Sequence, residues 1–93
     1  MEIKEIEKAL TNITQHLLEL PSKVTLRKYT KSTVLKSYTT FVYELWLVVK
    51  GKKPELLHSY EITLPNGKVE LADSMYFNSL ISAIWKGEIQ RKL

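Results

Sequence analysis

Ninety-three residues make about one domain, and at that size burial suffices for independent folding with little to spare, which leaves room for a stabilising homodimer. The 44% hydrophobic and 26% charged content excludes disorder, and no run approaches the ~20 apolar residues that a membrane span requires. Net charge is +4, zero cysteines exclude disulfides and thiolate chemistry, and MEIKEIEKAL lacks the apolar stretch of a signal peptide, so the expected location is the cytoplasm with no membrane partner.

Ile3, Ile6, Leu10, Ile13, Leu17 and Leu20 recur at spacings of three and four, which predicts a helix over the first twenty residues with one apolar stripe. Glu2, Glu5 and Glu7 fall in its first two turns, where the helix dipole favours acids, and Pro21 ends it. The period then changes to two. Val24 and Leu26 point one way while Lys23, Thr25, Arg27, Tyr29 and Lys31 point the other, a half-buried first strand followed by a turn near residues 31–33. Val34 to Lys50 is rich in β-branched and aromatic residues and too long for an average strand, so a bulge or bend is expected near Lys36–Ser37. Phe41, Tyr43, Leu45, Leu47 and Val49 alternate there with Val42, Glu44, Trp46, Val48 and Lys50, and two apolar faces mark a central strand.

Gly51-Lys52-Lys53-Pro54 supplies a hairpin loop. In a third strand, Leu56, His58, Tyr60, Ile62 and Leu64 alternate with Leu57, Ser59, Glu61 and Thr63. Pro65-Asn66-Gly67-Lys68 reads as a tight hairpin turn leading to a short fourth strand at Val69 to Leu71. Asp73 or Ser74 would cap a closing helix with Phe77, Leu80, Ile81, Ile84 and Trp85 on its buried face; Gly87 ends it, and Ile89 extends the packing. The predicted architecture is a single α+β domain, αβββ(β)α, whose three- or four-stranded antiparallel sheet is covered by helices on one face.

Charge is unevenly placed. Both ends of the chain are mildly acidic, whereas residues 21–53 hold eight cations against Glu44 alone. Enzyme signatures are missing. The one aspartate, Asp73, is assigned to a cap, His16 and His58 are isolated, and neither a nucleophile motif nor a glycine-rich phosphate loop occurs. Glu44 among its basic neighbours is the sole catalytic hint, and no metal spacing, cofactor or small-molecule site is evident. A non-enzymatic role is therefore expected.

On the uncovered sheet face Lys23, Arg27, Tyr29 and Lys31 of the first strand would lie beside Tyr38, Val42, Trp46 and Lys50 of the second, with Lys36, Lys52 and Lys53 in the loops. Cations neutralise phosphates and aromatic rings stack on unpaired bases, so this mixture predicts binding of single-stranded DNA or RNA. The alternative is a protein-interaction module, a small regulator or inhibitor of a larger protein, with Tyr38, Val42 and Trp46 as a dimer or partner interface rimmed by lysines. In element order the chain resembles the double-stranded RNA-binding domain. That family's lysine cluster at the start of the last helix is replaced here by Leu71-Ala72-Asp73-Ser74-Met75-Tyr76, so none of its binding residues carries over.

Overall fold

The computed structural model describes residues 3–18 and 21–89, ordered as α1 (Ile3–Leu18), β1 (Ser22–Ser32), β2 (Tyr38–Val49), β3 (Glu55–Pro65) and α2 (Val69–Trp85). Glu2 and Leu20, expected on the first helix, lie outside the described residues. The strands form an antiparallel meander in the order β1-β2-β3. β2 is central, as its two apolar faces require. Phe41, Tyr43, Leu45, Leu47 and Val49 point to one face and form a single core with Ile6 and Leu10 of α1 and Ala72, Tyr76, Leu80 and Ala83 of α2. Both helices thus cover the same side of the sheet, giving the expected αβββα arrangement.

α1 leans toward the outer edge of β1. Its Thr11 Oγ1 accepts a hydrogen bond from the Val24 amide (2.9 Å), and Gln15 Nε2 donates to the Ser22 carbonyl (3.0 Å). These are edge groups that β2 cannot reach, and a strand edge left beside apolar packing needs such partners. The same lean turns Thr14 inward, fully buried, with Ser22 Oγ donating to its Oγ1 (2.9 Å). Ile13 and Leu17, expected on the buried stripe, are consequently exposed. A polar edge contact has displaced part of the apolar one.

Other departures are local. β1 continues to Ser32, and the turn expected at 31–33 falls at Thr33–Ser37, where a bend within one long strand was expected. The bulge lies instead in β3: Leu45 pairs with His58 and Trp46 with Leu56, leaving Leu57 as the extra residue. That single insertion reverses the parity of the strand's start, so Leu57 is buried in the core while Leu56 moves to the open face. Val69 to Leu71 forms the first turn of α2 and not a fourth strand. Pro65–Lys68 is accordingly a strand-to-helix turn and not a hairpin; Gly67, at φ +83°, makes the reversal. With the helix beginning at Val69, Asp73 and Ser74 are interior residues, and the N-cap Lys68 makes no side-chain cap bond. α2 fully buries Ala72, Tyr76, Leu80 and Ala83, a stripe from which Trp85 projects at 85% exposure. Gly87 (φ +73°) ends the helix and Ile89 returns to the core, as the sequence predicts.

Candidate nucleic-acid interface

The uncovered face carries Lys23, Thr25, Arg27, Tyr29 and Lys31 from β1, Thr40, Val42, Glu44, Trp46 and Val48 from β2, and Leu56, Ser59, Glu61 and Thr63 from β3. Its middle is organised by one carboxylate. Glu44 stands opposite Arg27 in the β1–β2 register and receives hydrogen bonds from Arg27 Nη1 (3.5 Å), Tyr29 Oη (3.3 Å) and Trp46 Nε1 (3.2 Å). The Arg27 guanidinium also lies over the Tyr29 ring, 4.7 Å from its centroid. Tyr29 is therefore covered on one face and tethered at its hydroxyl, which removes it as a free stacking platform.

Lys31 is similarly engaged. Its ammonium reaches across β2 to Glu61 (3.2 Å), and that hydrogen bond raises the Lys31 pKa above its ordinary value. Solvent screens such an exposed pair, so it adds little to stability. The larger effect is on the field: Glu44 and Glu61 offset two of the three cations that β1 presents to this face.

The third, Lys23, has a different neighbourhood. It pairs across the sheet with Val48, next to the Lys50–Pro54 loop, and the Lys50 amide donates to the Pro21 carbonyl (3.2 Å), pinning the entry to β1 against that loop. Lys23, Lys50, Lys52 and Lys53 thereby gather at one end of the sheet, all exposed. Among the described residues none of the four pairs with a carboxylate. Trp46 sits one cross-strand step away, about 7–8 Å from Lys23 on the diagonal, with Val48 and Leu56 beside it as exposed apolar surface. Lys36 and Tyr38 lie at the opposite end, at the loop joining β1 and β2.

The ten candidate residues therefore separate into three groups. Lys23, Lys50, Lys52 and Lys53 converge, with Trp46 at their margin and its indole N–H held by Glu44; Arg27, Tyr29 and Lys31 are bound into intramolecular contacts; Lys36 and Tyr38 stand apart. Sequence alternation sets Glu61 with Ser59 and Thr63 on the wet side of the third strand but does not show it as the partner of Lys31, and it misses Leu56 on this face. Glu61 becomes a partner of Lys31 only through the register, and the bulge hides Leu56 from a strict count of two.

The covered face holds a second polar cluster. Lys28, opposite Tyr43, bonds Asp73 Oδ1 (2.6 Å), and Tyr43 Oη donates to the same oxygen (2.5 Å). Tyr43 stacks on Tyr76 at 4.4 Å with rings 5° apart. His58 belongs to this side, its ring 6.0 Å from that of Tyr76, so it is separated from Glu44 by the sheet itself. The two do not converge on one cleft. Among the described residues no group of three His, Asp or Glu side chains is placed to hold a metal.

No protein-family model, curated protein or solved structure matches the chain.

Proposed function

We propose that the protein is a non-enzymatic binder of single-stranded DNA or RNA that grips its ligand at the Lys23/Lys50–Lys53 end of the sheet. The observation that carries this reading is the convergence of four exposed lysines, none paired with a carboxylate among the described residues, beside the Trp46, Val48 and Leu56 surface. Lysines neutralise phosphates and release counterions, and an indole at their margin supplies the stacking that sequence-tolerant single-strand binding uses.

Four phosphate contacts to a single strand give log K against log salt a slope of about −3. The test is fluorescence anisotropy of labelled oligonucleotides across a salt series, with Lys52→Glu/Lys53→Glu expected to lower affinity and roughly halve the slope. A Trp85→Phe chain leaves Trp46 as the one tryptophan, and its emission should be quenched on binding. Absence of binding at low salt, or an affinity indifferent to salt, refutes the reading.

One observation favours a second reading for the middle of the face. Glu44 and Glu61 make it nearly neutral, and although Val42 beneath them is buried and offers no contact, Trp46, Val48 and Leu56 form an apolar strip that suits a protein partner. In that reading the chain is an interaction module, and Trp46→Ala abolishes self-association or partner capture while oligonucleotide binding persists.

A further inference from the structure

The loop between β1 and β2 holds apolar side chains out into water. Val34 is 100% exposed and Leu35 67%, yet the loop is firmly bonded. Thr33 Oγ1 donates to the carbonyls of Leu35 and Tyr38, the Tyr38 amide donates to the Leu35 carbonyl (3.0 Å), and Asn66 ties the loop from outside through Lys36 O (2.8 Å) and Ser37 O (2.9 Å). A bonded turn that displays two aliphatic side chains fixes them in position for a partner. Tyr38 lies beside this apex with Lys31 and Lys36, and the Pro65–Lys68 turn, which Asn66 anchors to the loop, brings Lys68 to the same end of the sheet. Of the three, Lys31 is shared with Glu61, and Glu70 in the first turn of α2 is the other nearby acid.

We propose that this loop docks on an anionic membrane surface, with Val34 and Leu35 entering the headgroup boundary, Tyr38 at headgroup level and the lysines on acidic lipids. The order of apolar apex, aromatic ring and cations is the order of a bilayer interface. Each unpaired lysine near such a surface strengthens binding about fivefold. A second copy fits poorly: two aliphatic residues fall far short of the ~800 Å² per partner of a stable dimer, and a symmetric contact would set lysines against lysines. No described helix is long and apolar enough to cross a membrane, so the contact is interfacial. It is independent of the proposed oligonucleotide site, which lies at the other end of strands about 35 Å long.

The chain has no cysteine, so a polarity-sensitive dye can be placed at Leu35→Cys and, as a reference at the far end, at exposed Glu55→Cys. Vesicles of phosphatidylcholine mixed equally with phosphatidylserine should blue-shift the dye at 35 and not at 55; phosphatidylcholine alone and inorganic phosphate should shift neither. In cosedimentation, Val34→Asp/Leu35→Asp should weaken binding to the anionic vesicles at least tenfold; both side chains are exposed, so the variant keeps its core. No shift at 35, equal shifts at both positions, or vesicle binding unaltered by the double variant overturns the proposal. So does a double variant that loses oligonucleotide affinity while keeping vesicle binding, which would assign the loop to nucleic acid.

Discussion

Replacing either of two stacked tyrosines by phenylalanine should move stability in opposite directions. Tyr43 and Tyr76 are both fully buried with rings 4.4 Å apart, and phenylalanine preserves the rings and their stack. The hydroxyls differ. Tyr43 Oη donates to Asp73, whereas Tyr76 Oη has no hydrogen-bond partner among the described residues. A buried unsatisfied polar group costs about 1–3 kcal/mol, so Tyr76→Phe should stabilise the fold by about 1 kcal/mol. A hydrogen bond to a charged acceptor contributes about 1.5–3 kcal/mol. Asp73 keeps Lys28 and is 38% exposed, so water replaces part of the loss and Tyr43→Phe should cost about 1.5 kcal/mol. For a domain of this size each kcal/mol moves Tm by about 4–8 °C, which separates the two variants by roughly 10–20 °C. Urea unfolding followed by far-ultraviolet circular dichroism, with unchanged m-values, checks that this is a difference in stability. If Tyr76→Phe is destabilised by as much as Tyr43→Phe, the assignment of the Tyr76 hydroxyl as unpartnered is wrong.

The same residues set the alkaline limit. Burial raises both tyrosines above their ordinary pKa of 10.0, aided at Tyr43 by the bond to Asp73. The unfolded chain ionises first, so their contribution to stability is intact below pH 10 and is lost as pH climbs from there toward the folded values. In a spectrophotometric titration, two of the five tyrosines should ionise only together with the loss of secondary structure. Glu44→Gln keeps an oxygen for Trp46 and Tyr29 but frees Arg27 from its counter-charge; oligonucleotide affinity should rise and the salt slope steepen by about 0.7, read by anisotropy. Gly67→Ala places a Cβ where nothing lies within 4 Å, so its cost at φ +83° is conformational, about 1 kcal/mol by denaturant unfolding, and Gly67→Asn should recover part of it.

Periodicity revealed the fold to the extent that one period governed each segment. β2 was legible because both of its parities are apolar, and β1 because Val24 and Leu26 alternate with cations. What escaped were places where a polar group or a single residue overrides the pattern. Thr14 is buried in preference to Ile13 because the strand edge demands hydroxyls, and Leu57 interrupts an alternation that reads unbroken. Asn66-Gly67 signals a tight reversal without saying whether a strand or a helix follows, and Val69 to Leu71 suit either. At the candidate interface, composition identified the cations but not their fates. Whether Arg27, Lys31 or Lys23 remains available depends on which carboxylate the register sets opposite, and among the described residues Lys23 meets none.

The seating of α1 on the rim of β1 bears on how that strand edge is kept from pairing with another strand. An unpaired strand is a template for lateral growth, and two safeguards divide this one between them. Thr11 and Gln15 occupy the backbone groups of Ser22 and Val24, while farther along the long side chains of Arg27, Lys28 and Lys31, each held by a carboxylate, would have to give up those pairs to admit a second strand. The helix is the removable part of that protection. Deleting α1 would uncover the polar rim and the apolar core beneath it together, turning a defended boundary into a nucleus for aggregation.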